Sequence, residues 1–254
     1  KDKGKWDGDF CLIISDGTDN DLTKSIEDMG IHIFRPTELP ESPPPHFYKM
    51  YLFDEYFKKW DWILFSDLDV LFLNNIELDL DSKDKEYLYT KKDGLSFMKH
   101  FYGATDGFMQ DKPPELSKEQ EIEKDKIYKK YGDGDAFQTC FLLFHKTLIQ
   151  SGYFDKLMES YLYYYCYYEL ARNSWWDQSM FNLVFFERWK DMGYKFVNRN
   201  PVMDDIEWEF TLLETGYWDH NDYTDTIALH FFNFFPPWNK NNLRFYPIWK
   251  EYQR

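Results

Sequence analysis

Hydrophobic and polar residues occur in blocks along the first part of the chain, and these blocks predict strands and helices in alternation. The apolar run at 10–15 (FCLIIS) predicts a buried strand. The next segment predicts a helix that begins at Asn20 or Asp21 and ends at a glycine. A second strand is predicted at 31–34 (IHIF), and the proline-rich segment at 35–45 predicts a loop.

The next two blocks predict a helix at 46–60 and a third buried strand at 62–67 (WILFSD). Strands that are apolar throughout and that alternate with helices are typical of parallel pairing in an α/β sheet. Ligands of such sheets bind beyond the carboxyl ends of the strands. Asp67 and Asp69 lie at that end of the third strand, so we expect a binding site there.

The second part of the chain has a less regular pattern, in which we find no repeat and no clear linker. We therefore predict one domain over 1–254. The elements predicted there are a charged, solvent-facing helix at 117–131, a strand at 136–144, aromatic-rich helices at 154–172 and 177–193, and short strands at 194–197 and 227–232.

The tyrosine-rich run at 161–168 (YLYYYCYY) predicts either a surface that stacks on sugars or core packing. Tyrosine occurs on every face of the predicted helix, and most of these rings cannot line one groove, so the pattern favours core packing.

Composition and charge exclude several classes of protein. Hydrophobic residues make up 43% of the 254 residues and aromatic residues 21%, which is typical of a globular protein and not of a disordered chain. The formal net charge of −15 disfavours nucleic acids and anionic membrane surfaces as partners. An anionic small ligand would need a metal ion or local cations to neutralise it.

The three cysteines, Cys11, Cys140 and Cys166, have neither CxxC nor zinc-site spacing, and their odd number predicts reduced thiols. No segment resembles a signal peptide or a membrane span. We therefore predict a cytoplasmic protein, with a secretory lumen as the alternative if an N-terminal anchor was removed.

Asp67 and Asp69 are candidate ligands of a divalent metal. Their spacing alone carries little information, because an acidic chain produces it often. These two differ from the others because they lie at the end of an apolar strand, so both carboxylates can turn to one side. There they could hold Mn²⁺ or Mg²⁺, which in turn binds a diphosphate. The alternative is a pair of capping aspartates at a strand–loop junction. The other Asp-x-Asp pairs, all in polar or glycine-containing stretches, are Asp7/Asp9, Asp19/Asp21, Asp79/Asp81 and Asp133/Asp135.

The segment from the predicted helix at 46–60 to 76 resembles the centre of the glycogenin and lipopolysaccharide galactosyltransferase family, glycosyltransferase family 8. In that family a lysine-bearing helix precedes a strand that ends in D-x-D and is followed by a "+L.N.+" segment. Lys49, Asp67 and Asp69, and then LFLNNI at 71–76, follow in that order. The resemblance implies that Lys49 contacts the phosphate or sugar of a nucleotide-sugar donor.

Two later segments continue the resemblance. The run that begins at Asp135, DAFQTCFLLF, is similar to the family's "D-x-F-N-S-G-V-F-V" strand and implies donor-sugar contacts for Asp135 and Gln138, with Cys140 at the family's glycine. WWDQSMFN is similar to the "G-D-Q-x-x-L-N" helix start, which implies that Asp177 and Gln178 orient the sugar against the acceptor.

A third segment, LHFFNFFPPWNK, is similar to the family's "H-F-x-G-x-x-K-P-W" motif. The resemblance implies that His230 is the third metal ligand. Asn233 stands at the motif's glycine and Pro236 at the lysine that meets the diphosphate. Lys240 or Arg244 could substitute for that lysine in binding the donor.

The resemblance as a whole, which spans about residues 10–240, implies a GT-A fold: a Rossmann-like mixed sheet, mainly parallel, flanked by helices. It implies transfer of a hexose, glucose or galactose, from a UDP-sugar to a hydroxyl of a carbohydrate or protein acceptor with retention of configuration. Mn²⁺ is the expected cofactor, with Mg²⁺ as the alternative. The first strand at 10–15 matches the family's second, so we expect the family's first βα unit to be missing or to lie upstream.

Two other interpretations of the sequence remain open. A haloacid-dehalogenase-type phosphatase also has an apolar strand that ends in D-x-D, with its first aspartate, here Asp67, as nucleophile. That motif normally opens its domain and continues with threonine, whereas Val70 and Leu71 follow here. The other interpretation is a non-catalytic module that binds sugar or metal.

Overall fold

The computed structural model of the chain describes residues 6–15, 20–37, 45–68, 70–72, 76, 78–97, 116–132, 134–168, 176–192, 196–199 and 228–231. The strands within these ranges are Phe10–Ile13 (β1), Ile31–Phe34 (β2), Trp62–Ser66 (β3), Val70–Phe72 (β4), Leu88–Ser96 (β5), Asp135–His145 (β6), Trp189–Asp191 (β7), Phe196–Arg199 (β8) and Ala228–Phe231 (β9). The α-helices are Asn20–Asp28 (α1), Lys118–Tyr131 (α2), Thr147–Gln150 (α3), Tyr153–Ser160 (α4) and Trp176–Val184 (α5). Two 3₁₀-helices span Pro45–Phe53 and Glu55–Lys59, and a π-helix spans Tyr161–Tyr167.

The first elements form the predicted βαβ unit. Strands β1 and β2 pair in parallel, and α1 connects them and packs against β2. Thr23 of α1 is buried, and its hydroxyl accepts a hydrogen bond of 2.9 Å from the Arg35 guanidinium. The two strands and the helix between them are therefore confirmed, whereas the predicted burial of the first strand is wrong, because no residue of β1 is buried.

A four-stranded sheet, in the order β3-β6-β5-β7, contains the central strand β6. Every residue of β6 after Asp135 is buried. Strand β5 runs antiparallel to β6 and parallel to β7. Of the five strand pairs whose registers are described, three are parallel and two antiparallel, as expected for a mixed, mainly parallel sheet.

Three predicted helices differ in type or length from the observed ones. The segment predicted as a helix at 46–60 forms two 3₁₀-helices, because Asp54 interrupts the first and caps the second through a 2.8 Å hydrogen bond from the Tyr56 N–H. The helix predicted at 154–172 is α-helical only to Ser160 and then becomes the π-helix. The helix predicted at 177–193 ends at Val184, because Trp189–Asp191 pairs with β5 instead.

The predicted charged helix forms α2, and Ser117 begins it with a capping box that includes Gln120. It is not solvent-facing on all sides, because Glu123 and Ile127 are buried. The carboxylate of Glu123 is compensated by a 2.8 Å ion pair with Lys126.

The late strands β8 and β9 pair in parallel, and β9 also pairs antiparallel with β4. Contacts divide the chain into two compact units, one formed by 1–7, 65–82 and 192–254 and the other by 8–64 and 83–191. The predicted boundaries at 1 and 254 stay a prediction.

Gly134 is required by the packing of three aromatic rings. A Cβ atom at this position would lie 2.5 Å from Cζ of Phe186, whose ring packs against those of Phe97 and Tyr131. We expect Gly134→Ala to lower the free energy of unfolding by about 1–3 kcal/mol, the usual cost of overpacking a core, in urea titrations. In a Phe186→Leu background the same change should cost less, and an equal cost in both backgrounds would contradict this explanation.

Candidate active site

The end of β3 leads into a turn that carries the predicted metal ligands. The backbone N–H of Val70 donates a 3.3 Å hydrogen bond to the carbonyl of Asp67, and the hydroxyl of Ser66 donates to the same carbonyl at 3.0 Å. Asp67 and the first residue of β4 are therefore joined by a backbone hydrogen bond. Asp69 lies outside the described residues.

The register of β4 and β9 brings a distant part of the chain to this turn. Val70 and His230 are directly opposite each other in the antiparallel ladder. His230 is therefore adjacent in the sheet to the residue that follows Asp67-Leu68-Asp69, although 160 positions separate Val70 from His230 in sequence. The backbone thus brings His230 next to the segment that carries the predicted Asp ligands.

The residue types fit a hard divalent cation, because two carboxylates and one imidazole suit Mn²⁺ and leave open positions for phosphate oxygens. Within the described part of the chain, no group of three or more His, Cys, Asp or Glu side chains could hold a metal. The predicted set includes Asp69, which lies outside that part, so the metal site stays a prediction.

A second cluster of predicted site residues surrounds Asp177, the second residue of α5. Its Oδ2 atom accepts hydrogen bonds from Nζ of Lys49 at 2.8 Å and from the hydroxyl of Thr139 at 2.9 Å. Nζ of Lys49 also lies within hydrogen-bond distance of the Thr139 hydroxyl, at 3.4 Å. All three side chains are buried. The 3₁₀-helix at 45–53, β6 and α5 therefore meet at one buried ion pair.

The charge of Asp177 is stabilised by its surroundings. Burial alone would raise the pKa of this carboxyl group, but the attraction and hydrogen bond of the Lys49 ammonium oppose it, with smaller contributions from His46 and Thr139. The net effect is a pKa below the ordinary value. Asp177 is therefore an anion at neutral pH despite its burial.

Helix α5 is fixed on the sheet by Asn182. The amide of Asn182 accepts from the N–H of Phe137 and donates to its carbonyl, both at 2.8 Å, and donates to the carbonyl of Gln178 at the same distance. The side chain of Gln178 is directed by a 2.8 Å hydrogen bond from its Nε2 to Asp93 on β5. Asp177 and Gln178 are thus held by groups on β6 and β5.

Gln138 lies in an irregular stretch of the ladder between β5 and β6. The register changes between the pairs Thr90–Leu142 and Lys92–Phe137, and the Thr90 hydroxyl donates to the carbonyl of Gln138 at 2.5 Å. Such irregularities redirect side chains and are common next to active sites. The side chain of Gln138 is buried, and its Oε1 is 3.7 Å from the Cys140 thiol, which donates to it.

Asp135 is not part of this buried cluster. Its carboxylate is 61% exposed and lies 2.7 Å from the ammonium of Lys92. It is four positions before Thr139 on β6, which corresponds to about 13 Å along a strand. Lys240, Arg244 and Pro236 lie outside the described residues, so the predicted donor contact of Lys240 is not tested.

Comparison with solved structures gives matches over most of the chain. The bifunctional glycosyltransferase WbbM matches 87% of this chain at 17% identity with a TM-score of 0.54. The glycosyltransferase GlyE of Streptococcus pneumoniae TIGR4 matches 96% at 16% identity with a TM-score of 0.56. The galactosyltransferase LgtC, in complex with donor and acceptor sugar analogues, matches 93% at 16% identity with a TM-score of 0.52.

The chain has a glycosyltransferase fold. The expected fold class is thereby confirmed, whereas identities this low say nothing about donor, acceptor or metal. The chain spans 36% of WbbM and 52% of GlyE, but 91% of LgtC. Comparison of the sequence with protein-family models and with curated proteins gives no match.

Within this glycosyltransferase fold, three residues that support the buried cluster were not assigned a role from the sequence. Thr139 and Asn182 lie inside the quoted motifs, and a lone amide in the apolar run of α5 is a signal of a buried polar contact. Asp93 belongs to the charged stretch TKKDG, which carries no such signal.

No helix among the described residues is both long and apolar enough to cross a membrane.

Proposed function

We propose that the chain is a Mn²⁺-dependent glycosyltransferase that moves a hexose, glucose or galactose, from a UDP-sugar to a hydroxyl acceptor with retention of configuration. Mg²⁺ is the alternative cofactor. The observation that carries the proposal is the register of β4 and β9, in which His230 is opposite the residue that follows Asp67-Leu68-Asp69. The similarity of the fold to glycosyltransferase structures supports the interpretation of this adjacency as a metal site.

Asp67, Asp69 and His230 are the residues that would hold the metal. When bound, Mn²⁺ supplies the positive charge that neutralises the diphosphate and stabilises the leaving UDP. The protein has particular need of such a charge, because its own net charge of −15 repels a nucleotide diphosphate. Lys240 is proposed to add a second cation for the diphosphate.

Asp177 is proposed to bind a hydroxyl of the sugar. Its Oδ2 is occupied by Lys49 and Thr139, whereas its Oδ1 accepts no hydrogen bond from any described residue. A buried carboxylate oxygen of this kind is a strong acceptor for a substrate hydroxyl. Lys49 was expected to contact the donor directly; its geometry favours a positioning role through Asp177.

Gln178 and Gln138 are proposed to orient the sugar. Both carry amide groups, which can donate to and accept from hydroxyls, and Asp93 fixes the amide of Gln178. Asp135, at the exposed start of β6, keeps its proposed donor contact. No residue is assigned as a nucleophile.

The test is UDP release from UDP-glucose and UDP-galactose by the protein with Mn²⁺, with Mg²⁺ and with EDTA. We expect hydrolysis with one of the two donors, stimulated by Mn²⁺ and abolished by EDTA, and a rise in melting temperature that requires both donor and metal. A donor-dependent thermal shift without turnover, across a panel of acceptors, would instead identify a non-catalytic binding module. Trapping of phosphate on Asp67 would support the phosphatase alternative, which the glycosyltransferase fold does not favour.

A further inference from the structure

The π-helix and the residues at its ends form an uncharged surface on a highly charged protein. Residues 160–168 contain no Asp, Glu, Lys or Arg, although these make up 30% of the chain. Four side chains of this segment are exposed, and we refer to them as the tyrosine surface: Leu162, Tyr163, Cys166 and Tyr167. Core packing was the expected role of the run, and it holds for Tyr161 but not for these residues.

The π-helical backbone aligns the rings of this surface. The N–H of Tyr168 donates to the carbonyl of Tyr163, five positions earlier, at 2.9 Å. In this wider helix residues four positions apart lie nearly above one another, and the rings of Tyr163 and Tyr167 are parallel within 20° with centroids 6.4 Å apart. Tyr163 is 41% exposed and Tyr167 is 72% exposed.

The ring of Tyr163 is held in place by its neighbours. Tyr164 and Tyr168 each form a T-shaped contact with it, with centroids 4.8 Å apart. A hydrogen bond between the phenol groups of Tyr163 and Tyr168 raises the pKa of Tyr163. Gln120 of α2 donates a 2.9 Å hydrogen bond to the carbonyl of Tyr168. The surface is therefore ordered before any ligand binds, which lowers the entropy cost of binding.

We propose that the tyrosine surface binds a neutral carbohydrate chain. A hexose has an apolar C–H face that fits the flat side of a tyrosine ring and hydroxyls that can bond to the phenol groups, since tyrosine combines an apolar body with a polar tip. Two parallel rings offer contact to consecutive sugars of one chain.

The charge of the protein disfavours the other occupants. Nucleic acid and anionic lipid are repelled by a net charge of −15, and a second copy of the chain would carry the same charge. A neutral ligand is not subject to this repulsion. The proposal stands apart from the proposed transfer reaction, because it concerns binding and does not require a donor.

The test is the affinity of the protein for maltoheptaose and for cellohexaose, measured by ligand-observed NMR titration. We expect the wild type to bind at least one of them, and Tyr163→Ala/Tyr167→Ala to weaken that binding about tenfold or more through loss of two stacking rings. Tyr163→Phe/Tyr167→Phe keeps the rings and should retain most of the affinity. Tyr128→Ala removes a 51% exposed tyrosine elsewhere and should change nothing.

Several outcomes would overturn the proposal. They are absence of binding by the wild type, unchanged affinity of the double alanine variant, and equal loss in Tyr128→Ala. A dimer in sedimentation that the double alanine variant dissociates would assign the surface to a second copy. If that variant unfolds, Tyr167→Ala alone, at the more exposed ring, gives the same comparison. Failure of UDP release with intact oligosaccharide binding would refute only the proposed function.

Discussion

Replacement of Asp67 or Asp69 by asparagine is expected to lower Mn²⁺-dependent UDP release about 100-fold or more, equivalent to about 3 kcal/mol of transition-state stabilisation. Asparagine keeps the size of the side chain but removes the negative charge that a hard cation requires. His230→Ala should have an effect in the same direction. Titration of Mn²⁺ followed by electron paramagnetic resonance should show weaker metal binding in each variant, independently of turnover.

The chain supplies a matched control for this experiment. Asp79-Leu80-Asp81 is the same tripeptide as Asp67-Leu68-Asp69, but both of its carboxylates are exposed. Oδ1 of Asp79 accepts a 3.4 Å hydrogen bond from the N–H of Ser82, as a turn aspartate does. Asn at these two positions should therefore leave both metal affinity and UDP release unchanged.

Three results would contradict the metal assignment. The first is wild-type turnover and Mn²⁺ affinity in Asp69→Asn. The second is an equal loss in the Asp79 and Asp81 variants, which would indicate a general effect of acidic charge. A loss of turnover with unchanged Mn²⁺ affinity would leave Asp69 a role in catalysis but would remove it from the metal site.

The elements predicted correctly from the sequence are those whose pattern has one physical interpretation. Strands β1, β2 and β3 are apolar runs bounded by turn residues, and the capping box at Ser117 begins α2. Strand β5 was not predicted, because its centre carries Lys91, Lys92 and Asp93 instead of alternating apolar residues. It forms because β6 and β7 pair with it on both sides.

Local pattern also failed where tertiary packing decides the type of helix. The aromatic segments at 46–60 and 154–172 have helical spacing, which does not distinguish an α-helix from the tighter 3₁₀-helix or the wider π-helix. In these segments rings contact each other within the helix and across to its neighbours, as Tyr161 does by stacking on Tyr165 and by a tilted contact with Phe47. Such contacts depend on residues far away in sequence.

In the candidate site, too, the sequence identified single residues but not the contacts between them. Motifs identified Lys49 and Asp177 individually, and each was assigned to the substrate. Their mutual ion pair, across 128 positions, was not predicted, because nothing in a motif states which of its charged groups compensate each other. The buried pair supports the proposal that Lys49 positions Asp177, and the predicted donor contact of Lys49 is not tested.

The ion pair of Lys49 and Asp177 is expected to be the most sensitive polar contact among the described residues. Asp177→Asn leaves a buried ammonium without its counter-charge, and Lys49→Met leaves a buried carboxylate, so each should lower the free energy of unfolding by about 3–5 kcal/mol in urea titrations. The double variant Lys49→Met/Asp177→Asn should recover much of that loss, because no unpaired charge remains. A coupling energy of about 1 kcal/mol or more between the two positions is expected.

The pH dependence of stability follows from the lowered pKa of Asp177. A carboxyl group whose pKa is lower in the folded protein stabilises the fold fully above its unfolded value of 3.8. This contribution is lost as the pH falls from about 4 through the lowered folded value. The wild type should therefore lose stability in this range more steeply than Lys49→Met/Asp177→Asn, in which the group is absent.

Lys92 and Asp135 provide the control, since they form an ion pair of nearly the same length, 2.7 Å, with side chains 50% and 61% exposed. Solvent screens such a pair, so Lys92→Met and Asp135→Asn should each change the free energy of unfolding by less than about 1 kcal/mol. If the Lys49 and Asp177 variants were as mild as these, or if the double variant were as unstable as the sum of its parts, the buried pair would not hold the 3₁₀-helix to α5. The lowered pKa of Asp177 at the candidate sugar site would then need an explanation other than Lys49.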